Sequence, residues 1–235
     1  TLMQNIAAEN NLSETAFFVG ADGSYDLRWF TPVTEVDLCG HATLASGYVI
    51  FNELEPHLEE ARFSTRSGEL VVRRNNDELV MDFPSQPPAP CVVPPGLTEG
   101  LRSVPSEVLA SADLLAVFEN EAQVRAIKPK FSMLKRMPFR GVIATAPGDD
   151  CDFVSRFFAP NVGVDEDPVT GSAHCALAPY WAQRLDKPEL LARQVSSRGG
   201  TLHCAVDDER VFIAGRCAEY LKGEISLAGI RARSV

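Results

Sequence analysis

The sequence has no run of lysine or arginine that forms a basic strip, and its formal net charge is −10. That balance argues against nucleic acid or an anionic membrane surface as partner. It does not argue against a small anionic ligand, because local backbone dipoles can outvote the global sign. No apolar run reaches the roughly 18 residues that cross a bilayer. The opening stretch, Thr1 to Asn5, lacks the basic-then-apolar pattern of a signal peptide. An initiator methionine is also missing, so the chain is expected to begin inside a longer protein. None of the six cysteines (Cys39, Cys91, Cys151, Cys175, Cys204, Cys217) belongs to a CxxC pair or lies at zinc-finger spacing from a histidine. Reduced, mostly buried thiols in a cytoplasmic protein are therefore expected, not a disulfide framework. GxGxxG, P-loop, HExxH and GxSxG motifs are all absent.

What is present is ordinary for a globular chain: 45% hydrophobic and 23% charged residues over 235 positions. That length holds one large domain or two small ones. An internal repeat decides for two similar units. Residues 64–83 (STRSGELVVRRNNDELVMDF) align without a gap on 196–215 (SSRGGTLHCAVDDERVFIAG), an offset of 132 residues. Ser64, Arg66, Gly68 and Leu70 recur as Ser196, Arg198, Gly200 and Leu202. Each copy reads as a hairpin: strand, polar turn, strand. Upstream, RWFTP (28–32) matches RFFAP (156–160), and FFVGADGSYDL (17–27) resembles VIATAPGDDCDFV (142–154). In both copies a glycine-containing turn then leads into an apolar, helix-like run, at 44–51 and 175–183. The second copy has an earlier strand, 114–118, while the first has only the helix-like stretch 2–10. A leading strand of the first copy is thus expected to be absent from this chain.

Residues 84–96 carry six prolines, which remove backbone donors and favour extended structure. They predict a stiff linker. The expected organisation is a first lobe at 1–83, the linker at 84–96, a second lobe at 97–215, and a C-terminal segment at 216–235 returning to the first lobe. Alternating strands joined by hairpins predict an α+β fold of two pseudo-symmetric lobes, each a mostly antiparallel sheet wrapped around a central helix. A cleft between lobes is a preferred place for a small-molecule site.

Gly40 and Gly171 each stand just before a helix-like run. Glycine lets a ligand approach the backbone, and free N–H groups at a helix start bind anions such as carboxylates. Plain capping, with Thr170 or Ser172 as cap, would explain the same residues. His41 follows Gly40, and a helix start opposes its protonation. Asp165, Glu166 and Asp167 precede the second turn. Three adjacent carboxylates make a poor cage for a hard cation, and no metal site is expected. Asp167, near the dipole end, is expected to stay ionised. Glu14 stands at a strand edge beside apolar residues, where a raised pKa would suit acid–base work, although a surface glutamate is the common case. Cys39 precedes a helix start and so could have a lowered pKa. A two-thiol racemase would need a second thiol, and Cys175 falls inside the second helix-like run instead.

Three segments, NLSETAFF (11–18), RWFTPVTEVDLCGHATLASG (28–47) and DEDPVTGSAHCALAPYWA (165–182), are similar in order to the signatures of PhzF-like proteins, named for the phenazine-biosynthesis isomerase. The resemblance implies the diaminopimelate epimerase-like fold and a cofactor-independent isomerase acting on a small carboxylate-bearing substrate. It places the proton-shuttling glutamate on Glu14. It places substrate-binding positions on Gly40, His41, Asp167, Gly171 and Ser172, with Cys39 beside them. It also implies a cytosolic homodimer with no metal or organic cofactor. Two features depart from the pattern: the family's first strand with its GNP segment is absent, and Cys39 stands where the phenazine isomerase has a small apolar residue. Two alternatives remain open: a Cys39-dependent amino-acid epimerase or racemase, and a non-catalytic metabolite-binding protein.

Overall fold

The computed structural model describes residues 2–227. The first lobe starts with helix α1 (Leu2–Asn10) and strands β1 (Thr15–Ala21), β2 (Ser24–Phe30) and β3 (Glu35–Val36). Helix α2 (Gly40–Val49) follows and runs into a π-turn at Ile50–Leu54. Strands β4 (Glu60–Thr65), β5 (Gly68–Asn75) and β6 (Glu78–Pro84) complete the lobe. Then come β7 (Ala89–Pro90), helix α3 (Leu97–Leu101), β8 (Glu107–Ala110), β9 (Leu114–Val117) and helices α4 (Glu121–Ala126) and α5 (Phe131–Leu134). The second copy of the repeat is β10 (Val142–Pro147), β11 (Phe153–Ala159), β12 (Val164–Asp167), α6 (Gly171–Leu185), β13 (Glu189–Gln194), β14 (Gly200–Asp207) and β15 (Arg210–Gly215).

The repeat read from the sequence is a repeat of topology. In the first copy the strand order is β1-β2-β4-β5-β6; in the second it is β10-β11-β13-β14-β15. β2 pairs with β4 in parallel, and so does β11 with β13, while the other pairs within each copy are antiparallel. A parallel pair needs a crossover. α2 and α6 are those crossovers, which is why each becomes the central helix of its lobe. β6 pairs with β15, so one sheet runs through both lobes.

Burial explains the two hydrophobic patterns. β2 alternates, with Tyr25, Leu27 and Trp29 facing inwards, because its other side meets solvent. β9 and β10 are apolar almost throughout, because both their faces are covered. Leu115, Val117 and Ile143 join the main core with Trp181 of α6. Leu114, Ala116, Val142 and Ala144 face a second core built with residues of α3, α4 and α5. Trp181 stacks on Phe153 at 5.8 Å and donates its indole N–H to the buried Thr145 hydroxyl at 3.0 Å. No helix among the described residues is long and apolar enough to cross a membrane.

The proline-rich stretch is fastened at several points. β7 pairs with β8, and the Ser85 N–H donates to the Glu209 carbonyl at 2.7 Å. The Gln86 N–H donates to the Cys175 carbonyl at 2.9 Å. That carbonyl is free because Pro179, four residues on in α6, has no N–H to give it. Beyond β15, residues 216–227 have no regular structure, and Lys222 pairs with Glu53 of the first lobe. The rest of the C-terminal segment lies outside the described residues.

His174, one turn into α6, is fully buried. Its Nδ1 lies 2.7 Å from the Thr170 carbonyl, while Nε2 is buried without a partner. Burial pulls its pKa down to about 4. The folded state therefore holds the neutral ring, and the unfolded chain takes up the proton first as pH falls. The stabilisation is complete above about 6.5 and is lost as pH falls towards about 4, a change of about 3 kcal/mol. Urea unfolding across this range should show that slope, and His174→Gln should remove it; a variant with the same slope as the wild type would count against the assignment.

Candidate active site

The two glycine turns meet. A Cβ on Gly40 would lie 3.3 Å from the Gly171 Cα, and one on Gly171 would lie 3.5 Å from the Gly40 Cα. The N-termini of α2 and α6 therefore abut between the lobes. Neither has a side-chain cap: the cap positions are Cys39 and Thr170, and neither makes a capping hydrogen bond. The Thr170 hydroxyl donates instead to Asp167 Oδ2 at 2.6 Å. Simple capping does not account for these turns, and among the described residues no side-chain oxygen accepts from the first N–H groups of either helix.

Beside this junction lies a cavity of about 310 Å³, lined by Glu14, Cys39, His41, Arg140, Asp167 and Ser172 together with both glycines. The sequence-predicted site residues, 25 to 158 positions apart from Glu14, are thus gathered around one space. His41 is the hub. Its Nε2 lies 3.2 Å from Glu14 Oε2, its Nδ1 lies 3.9 Å from Asp167 Oδ1, and the Cys39 sulfur lies 3.7 Å from Nδ1. Ser13 Oγ is 3.4 Å from Nε2. Glu14 Oε2 is buried with His41 Nε2 as its near polar neighbour, and Asp167 Oδ1 is buried with no hydrogen-bond partner.

These contacts reverse three electrostatic expectations, those for His41, Glu14 and Cys39. Burial alone would strip the proton from His41, but the negative charges of Glu14 and Asp167 beside it raise its pKa well above the ordinary imidazole value. Burial also works to raise Glu14, yet His41, Ser13 and Cys39 hold it below its usual range, so it is a carboxylate at neutral pH. Asp167 moves the other way: burial lifts it, with the Glu14 charge adding to the rise. Cys39 is pushed up by burial, where a helix start was expected to lower it. Cys175 gives no second thiol: it is buried in α6 against the Gly171 carbonyl and pushed up to about 12.

The acidic run before the second turn divides by direction. Glu166 pairs with Arg156 at 2.7 Å and Asp165 is exposed, leaving Asp167 alone at the cavity. Two residues escaped the sequence reading. Arg140 pairs with the buried Asp113 and donates to Ser172 Oγ at 2.9 Å. Gln194 accepts from the Thr170 N–H at 2.7 Å and donates to the Asp167 carbonyl at 2.7 Å, which fixes the second turn. Both come from outside the three motifs, and neither carries a local pattern that marks it.

A buried, neutral Cys39 should react with iodoacetamide at neutral pH more slowly than a free thiol. Peptide mass spectrometry reads that rate; labelling faster than a free thiol would restore the thiolate reading.

Comparison with known proteins agrees with this arrangement. The family described as phenazine biosynthesis-like protein matches residues 1–223. An uncharacterised isomerase of Pseudomonas aeruginosa is 56% identical over 225 residues, covering 96% of this chain and 87% of that protein. The crystal structure of a PhzF-family phenazine biosynthesis protein from Enterococcus faecalis superposes with a TM-score of 0.92 at 47% identity, covering 96% of this chain and 87% of that one. A predicted epimerase of Pseudomonas aeruginosa shares the fold alone, with a TM-score of 0.69 at 17% identity over 91% of this chain and 84% of that one. The duplicated lobes, the meeting helix starts and these matches place the chain in the phenazine biosynthesis-like (PhzC–PhzF) family.

Proposed function

We propose that the chain is a cofactor-independent isomerase that moves a proton within a small carboxylate-bearing substrate, with Glu14 as base and then acid. The observation that carries this reading is the Glu14 carboxylate, which lines the cavity, is largely shielded from solvent and is held ionised by the contact of its Oε2 with His41 Nε2 at 3.2 Å. An ionised carboxylate shielded from water is suited to accept a proton from carbon.

The substrate carboxylate binds at the uncapped starts of α2 and α6, whose N–H groups and dipoles favour an anion. Arg140 can only donate, so the Ser172 oxygen accepts from it. The Ser172 hydroxyl proton is then free to point at a ligand oxygen. Glu14 removes a proton from a carbon next to the carboxylate, and the negative charge that develops is spread towards the same helix starts. The Glu14 carboxylic acid returns that proton to another carbon. The raised Asp167 and lowered Glu14 give two carboxyls with separated proton affinities, the pattern expected of distinct acid–base roles. A neutral, buried Cys39, with Cys175 set inside α6, speaks against the thiol-dependent epimerase.

A thermal-shift screen of metabolites, followed by NMR of each hit in D₂O, tests the proposal. Deuterium exchange or isomerisation should appear with the wild type and fall by about 10²–10⁴-fold in Glu14→Gln, while binding persists. Equal binding with exchange in neither protein would favour a metabolite-binding role. For the same ligand, Arg140→Gln should weaken binding by about tenfold or more through the loss of a charge-assisted contact to Ser172. Unchanged affinity would remove Arg140 from the recognition scheme.

A further inference from the structure

The proposed proton transfer makes no use of the helical layer on the outside of the second lobe. Among the described residues, six lysines and arginines form no ion pair: Arg102, Lys128, Lys130, Lys135, Arg136 and Arg198. Every other described lysine and arginine lies within ion-pair distance of a carboxylate. All of the six except Arg198 belong to one layer, and all of those are exposed. Lys128 and Lys130 lead into α5, Lys135 and Arg136 follow it, and Arg102 ends α3. The two helices are joined: the Lys130 N–H donates to the Gly100 carbonyl at 2.7 Å, and a Cβ on Gly100 would lie 2.6 Å from Leu134 Cδ2. No aspartate or glutamate occurs between Arg125 and Arg140. The carboxylates of this layer that form no ion pair are Glu99 and Glu119. Packing, not a run in the sequence, thus gathers a basic face on a chain of net charge −10.

The same lobe carries the complement. Asp186, Glu189, Asp207, Asp208 and Glu209 are exposed and likewise form no ion pair. The Val206 N–H donates to the Pro188 carbonyl at 2.9 Å, which brings the end of α6 beside the turn between β14 and β15. Asp186 ends α6, where the negative end of the helix dipole disfavours a carboxylate. Cations brought from outside relieve that arrangement. Both surfaces also expose apolar side chains: Val92, Val93 and Val104 on the loops around α3, and Leu185 beside Asp186.

We propose that the basic face is an interface with a second copy of this chain, seated on that copy's acidic end at Asp186, Glu189 and the turn Asp207 to Glu209. Made twice about a two-fold axis, a contact between these unlike surfaces closes a dimer. The acidic remainder of each chain repels the other copy, so the basic face selects the orientation of approach. A membrane plane or a nucleic acid strand would reach past the face onto the acidic surface around it, whereas the acidic end of a second copy is compact. This inference does not depend on the isomerase reading.

Sedimentation velocity tests it. The wild type should sediment as two chains at about 25 mM NaCl and as one at about 500 mM, with association weakened by about tenfold or more as the charges are screened. Lys130→Glu combined with Lys135→Glu should be a single chain at low salt, and so should Glu189→Lys combined with Glu209→Lys. All four side chains are exposed, so far-ultraviolet circular dichroism should match the wild type. An equimolar mixture of the two variants should associate again, because one then offers two acidic surfaces and the other two basic ones. A wild type that stays a single chain at low salt would overturn the proposal. So would association that resists salt, that survives in either variant, or that fails to return in the mixture. Binding of phosphatidylserine vesicles or of single-stranded RNA by a single-chain wild type, lost in Lys130→Glu with Lys135→Glu, would overturn it by giving the face to that polyanion.

Discussion

The contact on which the arrangement depends is the meeting of two helix starts at Gly40 and Gly171. A Cβ at Gly40 would press on the Gly171 backbone at 3.3 Å, and one at Gly171 would touch the Gly40 backbone at 3.5 Å. Two positive dipole ends brought this close repel each other, and neither cap residue, Cys39 or Thr170, closes its helix start with a side-chain hydrogen bond. The fold holds them there by topology. Each helix is the crossover between a parallel pair of strands, and the two pairs belong to one continuous sheet. An anionic ligand at the junction would relieve the repulsion, which is the physical reason for the carboxylate site proposed where the two copies touch.

Around that junction the charges are divided unevenly. Glu14 and Asp167 flank one imidazole at 3.2 and 3.9 Å, yet one is held below its ordinary proton affinity and the other above it. The difference lies in their neighbours. Glu14 has three polar side chains to support its charge, whereas Asp167 spends one oxygen on Thr170 and leaves the other bare. Behind Asp167, Gln194 ties the turn from strand β13. On the far side, Arg140 orients Ser172 while its own charge is balanced by Asp113.

Much of the fold was legible because it is written twice. The 132-residue offset located both hairpins, and the pair Gly40 and Gly171 marked the helix starts that come together. Glu14, His41 and Asp167 were legible through the three motifs. The electrostatic directions were not, because each was judged from its own helix or strand. The His41 proton is held by carboxylates from two other segments, which no local pattern contains. Arg140, Gln194 and the Gln86 contact to α6 were missed for the same reason: each acts across the fold, and the Gln86 contact follows from the proline at position 179 only once the linker is known to lie there.

The central claim is that both helix starts hold one anion. Backbone amide NMR of the ¹⁵N-labelled protein during titration with acetate tests it directly. The account predicts that the amides of Gly40, His41, Gly171 and Ser172 shift together along a single saturating curve. Shifts confined to one helix start, or no saturable shift at either, would contradict it.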